Sequence, residues 1–441
     1  MAAAHLHLPL AAVSHRFEVS ALLLGALLVV GALASGLARR SFLSLTAVFV
    51  LAGFVLGDGG VGVVHFDARS GFVADLATVA LIVILFRDGL EVESEMLQTH
   101  WHLPLRKLVL AMPLTAAIIA LVTRALTDLS WTEAFLVGAL LSPTDPVLSS
   151  SVVTDPRVPR LVRHSLNLES GLNDGLALPA VLALSAALTP GAGHFVWWQF
   201  VLADLAIGLG VGLAVGFASA KLIPRGQRLQ DGIPPHQKAL YALGTAFVAY
   251  GLAVLTPHGN GLIAVFVAAI TLGIRRPDIR ANFSRQAPDL VEIVKLGIFV
   301  VFGSLLTLHG LFGLGWAAVA IVAATLLVAR PMAVFAALAG TATDTATRAF
   351  MAWFGPKGVA TMTFSLLVLS DRIASGTQIF NLAALTVFVS IIVHGVTDTA
   401  GAEWITRRSE GAERGPISGR RGRRRRAARG PSASRGTRRA R

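Results

Sequence analysis

Apolar residues occur along this chain in long blocks separated by short polar segments, and the blocks have the length that crosses a bilayer. A spanning helix needs about 20 mostly apolar residues, and such windows recur thirteen times. They are residues 19–38, 42–57, 72–92, 107–126, 131–151, 165–188, 195–221, 237–256, 259–274, 289–308, 311–337, 347–369 and 377–398. The pattern predicts an all-α polytopic membrane protein with about thirteen transmembrane helices.

Composition excludes several classes of protein. The sequence is 54% hydrophobic and 14% charged, whereas soluble domains are about 25% charged. Cysteine is absent, which excludes disulfide frameworks and thiolate chemistry. No His-Glu-x-x-His spacing occurs, and the hydroxyls of Ser142 and Ser170 have no histidine in a plausible triad. We therefore expect a transporter rather than an intramembrane enzyme, and no cofactor.

Positive charge is concentrated at the C-terminus. The formal net charge is +13, and residues 407–441 contain 14 arginines and two acids, which leaves about +1 for the remainder. Residues 401–441 lack apolar periodicity, so we expect a disordered, arginine-rich cytoplasmic tail that can contact anionic lipids. The other divisions are a short outer segment, residues 1–18, and a transmembrane domain, residues 19–400.

The loops are unequally charged on the two sides of the membrane. If the N-terminus is outside, sixteen lysines and arginines fall in inner loops and four on the outer side. Basic loops favour the cytoplasmic side. The distribution predicts a multi-pass protein of the cell membrane (plasma or inner) with its N-terminus outside and its C-terminus in the cytoplasm.

A few charges remain deep inside the predicted spans. An ionised side chain at the centre of a spanning helix costs about 2.5–3.5 kcal/mol. The six deepest are three acids and three bases, namely Asp145, Glu169, Asp174, Lys295, Arg330 and Lys357. They are expected to face a protein or water-filled interior and largely to compensate one another.

Two spans contain residues that interrupt a helix. Pro143 and Pro146 bracket Thr144-Asp145 in the fifth span, and residues 355–358 read Gly-Pro-Lys-Gly in the twelfth. Helix ends at such breaks carry partial charges that an acid or a base can neutralise. One interrupted span in each half of the sequence indicates an inverted-repeat transporter with its site near the membrane midplane.

The sixth span carries the motif Glu-Ser-Gly-Leu-Asn-Asp-Gly at residues 169–175. Ser170 and Asp174 are four residues apart and share a helix face, whereas Glu169 and Asp174 are separated by about 140°. Asp174 beside a hydroxyl suits a cation that prefers oxygen ligands. Glu169 is better suited to pair with a base such as Arg330.

These residues carry a resemblance to a known family. The chain resembles the monovalent cation:proton antiporters of the electroneutral NhaP and Na⁺/H⁺ exchanger type over about residues 20–400. The two long motifs at residues 142–146 and 169–175 carry most of the likeness. Further matching positions are residues 51–53, 157–159 and 355–358, Arg330, and residues 389–397.

The resemblance implies a fold of thirteen helices that has a dimerisation domain, a six-helix core with crossed broken helices, and a homodimeric assembly. It implies that Asp174 carries the transported monovalent cation and the proton. The residues that shape the site around it would be Asn173, Asp145, Thr144 and Ser170. Glu169 and Arg330 would form a structural ion pair, and Lys357 would compensate the charges of the broken helix ends.

The sequence departs from the family pattern at two positions. The break in the twelfth span usually carries arginine where this chain has Lys357, and lysine lacks a fork that reaches two acceptors. The third span usually has an acid directly after its phenylalanine, whereas here Phe86 is followed by Arg87 and then Asp88. For this reason no site role is assigned to Asp88 from the resemblance.

The functional hypothesis is secondary active antiport. A proton and a cation would compete for Asp174 during alternating access, which predicts electroneutral exchange of one cation per proton unless Asp145 also titrates. The predicted substrates are Na⁺, with Li⁺ as a further candidate, and H⁺, in intracellular pH and cation homeostasis. A K⁺:proton antiporter of the same fold is the main alternative, and a cation channel is a further one, although channels favour charges arranged around an axis.

Overall fold

In the computed structural model, all regular secondary structure of the described residues is helical. These are residues 45–68, 70–92, 101–145, 155–190, 196–224 and 233–414, with the isolated positions 22, 25 and 29. The rest of the predicted first span therefore lies outside the described residues. So do the last six residues of the predicted fifth span, beginning at Pro146, and residues 415–441 of the tail.

Fifteen helices are described, numbered here in chain order. They are α1 (Leu45–Leu56), α2 (Gly71–Glu91), α3 (His102–Leu126), α4 (Trp131–Leu141), α5 (Arg160–Leu188), α6 (Trp197–Leu222), α7 (Pro235–Leu255), α8 (Gly261–Arg275), α9 (Pro277–Gln286), α10 (Pro288–Ser304), α11 (Leu308–Phe312), α12 (Trp316–Ala337), α13 (Thr345–Trp353), α14 (Val359–Ser370) and α15 (Gly376–Arg414).

The helices follow the hydropathy pattern. Every predicted span from 42–57 onward is mostly helical over its described residues, apart from the two interruptions and short turns. Six helices are, by length and composition, long and apolar enough to cross a membrane: α3, α5, α6, α7, α12 and α15. Helices α4, with 11 residues, and α14, with 12, are shorter because each ends or begins at an interruption. The all-α polytopic fold class is confirmed.

The C-terminal boundary differs from the prediction of a disordered tail from residue 401. Helix α15 continues to Arg414. Its extension is held at Trp404, whose ring stacks on Phe350 with a centroid separation of 6.5 Å. Glu403 and Arg407, four residues apart, form an ion pair of 2.7 Å on the exposed face. A hydropathy window does not detect this end of α15, because the extension is amphipathic rather than apolar throughout and packs against α13.

Close helix contacts in the bundle occur at glycines. On α6, a Cβ added at Gly212 or Gly216 would lie within 2.7 Å of a backbone carbonyl oxygen of α8. Between α1 and α10, a Cβ at Gly53 would lie 2.3 Å from the Val300 carbonyl oxygen. Small residues allow helix backbones to approach in a membrane, where no hydrophobic force drives helices together. These two helix pairs are therefore packed backbone against backbone.

Helix α2 lies at the centre of the bundle, where it packs against α5, α8, α10 and α14. A run of its residues from Ala80 to Phe86 is fully buried. At its C-terminal end, a Cβ at Gly273 of α8 would meet the Leu90 carbonyl oxygen at 2.8 Å. Asp88, which α2 carries near this end, therefore lies inside the protein rather than against lipid.

An ion-paired turn fixes the end of α8. The Arg276 side chain is buried, donates to the carbonyls of Ile223 and Pro224 after α6, and bonds Asp278 at 2.8 and 2.9 Å. These Arg276 hydrogen bonds, together with Lys238 at the start of α7, hold the pKa of Asp278 down at about 2. The turn thus joins α6, α7 and α8 at one end of the bundle.

Candidate ion-binding site

The two interruptions predicted from the sequence meet in space. Helix α4 ends at Leu141 and is followed by non-helical backbone at residues 143–145, and the chain between α13 and α14 is non-helical at residues 354–358. The Asp145 N–H donates to the Pro356 carbonyl at 2.8 Å. The broken segments of the two halves therefore cross and bond to each other.

Lys357 neutralises the carbonyl end of α4. Its side chain is fully buried, and the ammonium donates to the carbonyl oxygens of Ser142 at 3.2 Å and Pro143 at 3.1 Å. Its backbone N–H donates to the hydroxyl of Ser390 on α15 at 2.9 Å. Helix-terminal carbonyls have no intrahelical donor, and here a single ammonium donates to two of them although lysine lacks a fork.

Asp145 occupies the opposite end of the crossing. Its Oδ2 accepts from the Val359 N–H, at 3.3 Å, where α14 begins. A helix N-terminus presents free N–H groups and a partial positive charge, which stabilise a carboxylate. A Cβ added at Gly358 would lie 2.5 Å from the Asp145 Cβ. Only glycine allows this close approach.

The residues of the second motif bring oxygen atoms to the crossing. The Asn173 amide donates to the Thr144 carbonyl at 2.6 Å and to the Thr144 hydroxyl at 3.1 Å. Its own Oδ1 and the Oδ1 of Asp174 are buried without a hydrogen-bond partner among the described residues. Ser170, one turn before Asp174, is half-buried.

Two unpartnered buried oxygens on adjacent residues need a chemical explanation, because buried polar atoms are normally satisfied. Asp174 is 7% exposed and Asn173 is 2% exposed, so bulk water does not solvate these oxygens freely. A proton would satisfy the carboxylate, and a cation would satisfy both oxygens, since hard cations take carboxylate and amide oxygen ligands. The arrangement can therefore hold a proton or a cation at Asp174.

Glu169 turns away from these oxygens, as the helical angle predicts, and is buried between two bases. Arg330 Nη1 donates to Glu169 Oε1 at 3.0 Å, and the Lys107 ammonium donates to Glu169 Oε2. Arg330 also donates to the Met351 carbonyl at 3.2 Å. A Cβ at Gly355 would lie 2.0 Å from Arg330 Nε, so the Gly-Pro-Lys-Gly break makes room for this guanidinium.

Lys107 is the site residue that sequence reasoning missed. Hydropathy placed it at the edge of the fourth span and among the inner loops, but α3 begins five residues earlier and Lys107 is buried. Both bases lie at π-helical turns: Lys107 opens one in α3, and Arg330 directly follows one in α12. Such turns often occur at functional positions. A lysine that begins an apolar run is the sequence signal that could have indicated it.

A second set of charges surrounds Asp174. Asp88 and Asp145 lie near enough to interact with it electrostatically, as do the bases Arg87 and Lys295. Asp88 is buried and receives hydrogen bonds from Arg87 of the same helix. Lys295 of α10 also interacts electrostatically with Asp88, Asp145 and Glu292.

Comparison with known proteins identifies the family of similar chains. Residues 24–402 match the family described as "Sodium/hydrogen exchanger, transmembrane". The K(+)/H(+) antiporter NhaP2 of Shewanella baltica is 26% identical over 386 residues, which are 86% of this chain and 66% of that relative. The Na(+)/H(+) antiporter 2 of Zygosaccharomyces rouxii is 32% identical over 158 residues, 34% of this chain and 20% of the relative. The chain thus spans 66% of the length of NhaP2.

A solved structure shares the fold. The sodium proton antiporter MjNhaP1 from Methanocaldococcus jannaschii at pH 8 superposes with a TM-score of 0.75 and 19% sequence identity. The match covers 87% of this chain and 97% of that structure. The likeness therefore extends over most of the bundle rather than over one part of it.

Proposed function

Because this chain belongs to the transmembrane sodium/hydrogen exchanger family, we propose that it exchanges a monovalent cation for a proton across the cell membrane. The observation that carries the proposal is a pair of buried oxygens, on Asn173 and Asp174 at the crossing of two broken helices, that have no hydrogen-bond partner among the described residues. A group that must hold either a proton or a cation, but not both, couples the two fluxes.

The proposed mechanism uses Asp174 as the single carrier. Thr144 takes both donors of the Asn173 amide and so aims the amide oxygen away from itself. The cation binds Asp174 with that oxygen and the Ser170 hydroxyl as further ligands. Protonation of Asp174 removes the charge that holds the cation, so proton uptake and cation release are one event.

Coupling follows from the cost of an uncompensated charge. Moving a charged site across an apolar barrier costs about 2.5–3.5 kcal/mol or more. A site neutralised by one proton or one cation avoids this cost. Only loaded states would then alternate between the two sides. One carrier carboxylate therefore gives electroneutral exchange of one cation per proton.

The frame around the carrier has a structural role in this proposal. Lys357 and Asp145 neutralise the ends of the broken helices, and Glu169 with Arg330 and Lys107 ties α5 to α3 and α12. Lys357 bonds two carbonyls, Asp145 accepts from a backbone N–H, and Glu169 accepts from both of its bases. Because they are already compensated, they would neither release nor take up charge during the cycle.

We propose Na⁺ as the principal cation, with Li⁺ as a further substrate. The relatives differ here, since NhaP2 is named a K⁺/H⁺ antiporter and MjNhaP1 a sodium proton antiporter. K⁺:proton exchange at the same site is thus the second candidate. Dequenching of a pH-sensitive dye in inverted vesicles distinguishes the two candidates. Na⁺, Li⁺ and K⁺ are added separately, and the preferred ion is the one that produces dequenching at the lowest ion concentration.

The same proposal includes the setting of the transporter. The N-terminus would be outside and the C-terminus in the cytoplasm, as the loop charges indicate, and the protein would act as a homodimer in pH and cation homeostasis. The arginine-rich tail would contact anionic lipid head groups of the inner leaflet. Chemical cross-linking in native membranes tests the dimer, which would appear as a band of twice the monomer mass.

The carrier assignment is tested by Asp174→Asn in proteoliposomes. We expect complete loss of cation-driven proton flux, because asparagine can neither bind a proton nor balance a cation. Asp204→Asn is the matched control, since Asp204 lies on α6, paired with His258 at 3.4 Å and outside the crossing. Full exchange by Asp174→Asn would overturn the assignment, and single-channel currents in the wild type would favour a channel.

A further inference from the structure

One face of α15 carries three polar side chains within residues 389–397, a stretch that shares in the family resemblance. Ser390, His394 and Thr397 are spaced four and three residues apart, so they lie on the same side of the helix. Ser390 and His394 are buried and Thr397 is half-buried. Buried polar groups are costly unless they are hydrogen-bonded, so their partners indicate what this face does.

The partners lie on both sides of the break in the twelfth span. Ser390 Oγ accepts from the Lys357 N–H at 2.9 Å, and His394 Nε2 lies 2.9 Å from the carbonyl oxygen of Trp353, the last residue of α13. The Trp353 indole also donates to the Thr397 hydroxyl at 3.0 Å. The face of α15 therefore contacts the chain immediately before and after the three residues 354–356.

The two ring nitrogens of His394 join these contacts to each other. Nδ1 lies 3.1 Å from the Ser390 hydroxyl and 2.8 Å from the Ser390 carbonyl. That carbonyl lies inside α15 and has a donor in its own helix, whereas the Trp353 carbonyl ends α13. The single N–H of a neutral imidazole is therefore better placed on Nε2, with Nδ1 accepting from the hydroxyl. Hydrogen bonds then run from the Lys357 N–H through Ser390 and His394 to Trp353.

The bridged segment is the part of the break that touches the other broken helix. The Pro356 carbonyl accepts from the Asp145 N–H at 2.8 Å, and the Val359 N–H donates to Asp145 Oδ2 at 3.3 Å. Thr144, the preceding residue, holds the Asn173 amide through its carbonyl and hydroxyl. A displacement of residues 354–356 would therefore reach the oxygens of the proposed ion site through two steps.

We propose that Ser390 and His394 are positioning residues for exchange, because they form a hydrogen-bonded bridge across the break that keeps the crossing aligned with Asp174. This inference rests on the proposed function of Asp174 as the carrier. The bridge acts through the broken segment and not on the transported ion. Ligands that are no longer held in place bind more weakly, so loss of the bridge raises the cation concentration for half-maximal exchange.

Two amide substitutions at His394 separate the bridge from simple filling of space. The amide nitrogen of glutamine is as many bonds from Cβ as Nε2 of histidine, and that of asparagine as many as Nδ1. His394→Gln can therefore still donate to the Trp353 carbonyl, whereas His394→Asn reaches only Ser390. We expect His394→Asn to raise the half-maximal cation concentration about tenfold, and His394→Gln to stay within about threefold of the wild type.

Ser390→Ala removes the other half of the bridge and is expected to raise the half-maximal concentration about tenfold as well. Because the two side chains act as one unit, Ser390→Ala combined with His394→Asn should be no worse than the more impaired single variant. Thr386→Val is the matched control. Thr386 is buried one turn earlier on α15, and its hydroxyl donates within that helix to the Leu382 carbonyl, so exchange should be unchanged.

Reconstituted protein is assayed by cation-driven proton flux over a range of cation concentrations, together with the unfolding temperature of each variant. A wild type without flux would overturn the proposed function itself. With an active wild type, equal half-maximal concentrations for His394→Asn and His394→Gln would overturn the bridge alone. So would additive effects in the double variant. A lower maximal rate and unfolding temperature at an unchanged half-maximal concentration would show a merely structural role and likewise overturn the positioning role.

Discussion

At the residue scale, Glu169 is a buried acid with two basic partners. It is buried against Arg330 and Lys107 and accepts from both. A buried carboxylate shared by two bases compensates charges that would each be costly in the membrane interior. Its role is therefore to allow two basic side chains to be buried between α3, α5 and α12.

We predict that Glu169→Gln destabilises the fold by about 3–5 kcal/mol, the usual cost of leaving a buried charge without its partner. The unfolding temperature of the detergent-purified protein measures this effect. Glu403→Gln is the control, because the exposed Glu403–Arg407 pair contributes about 1 kcal/mol or less. An unfolding temperature for Glu169→Gln equal to that of Glu403→Gln would contradict the prediction.

Lys107, the second basic partner of Glu169, shows that a sequence does not reveal which distant residues will contact each other. The angle between Glu169 and Asp174 follows from helix periodicity, so it could be predicted that the two carboxylates have different surroundings. Lys107 is 62 positions from Glu169, and no periodicity connects them. Its burial depends on where α3 begins and on a π-helical turn, both of which are decided by packing.

At the scale of elements, the positions of the two interruptions could be predicted from the sequence, but their crossing could not. Pro143, Gly355 and Pro356 indicate where helices stop, so the breaks themselves were predictable. That the two breaks bond to each other was not, because the contacts join residues more than 200 positions apart. The resemblance to a family supplied the expectation of a crossing that the residues alone left open.

We predict that Gly358→Ala impairs both folding and exchange, because the new Cβ would lie 2.5 Å from the Asp145 Cβ. The break would have to move, and the hydrogen bond between Val359 and Asp145 would be lost. Gly251→Ala on α7 is the matched control, since no atom lies within 4 Å of the position that its new Cβ would take. Equal exchange rates and unfolding temperatures for the two variants would refute the steric argument.

Lys357→Met tests the neutralisation of the α4 end. The change leaves the Ser142 and Pro143 carbonyls buried without their donor, at about 1–3 kcal/mol for each unsatisfied group. We expect a lower unfolding temperature and loss of exchange. Lys221→Met is the comparison, because Lys221 is exposed at the end of α6 over Phe217. A fully stable and active Lys357→Met would show that the carbonyls need no counter-charge.

At the scale of the whole molecule, the alternation of spans and loops was the most predictable property. Each apolar block is long enough to identify, and the basic residues gather in alternate segments between the blocks. Alternation fixes the order of the helices but not their packing. The contacts of α6 with α8, and of α1 with α10, depend on glycine positions whose partners lie far along the chain.

The orientation can be tested because the chain has no cysteine of its own. Ala342 precedes α13 and Ala374 follows α14, and both are exposed. With the N-terminus outside, we expect a membrane-impermeant maleimide added to intact cells to label Ala374→Cys but not Ala342→Cys. Permeabilised cells should show labelling of both variants. The reverse pattern in intact cells would invert the proposed topology.

The long sequence separation of the bonds at the crossing has a consequence for biosynthesis. Ser142 is synthesised 215 residues before the lysine that neutralises its carbonyl, which at 5–20 residues per second is a delay of roughly 10–40 s. Glu169 also precedes Arg330, by 161 residues, but Lys107 is made before it. Lys107 can therefore accompany Glu169 as soon as α5 enters the membrane, whereas the end of α4 must wait for the second half of the protein to emerge from the ribosome.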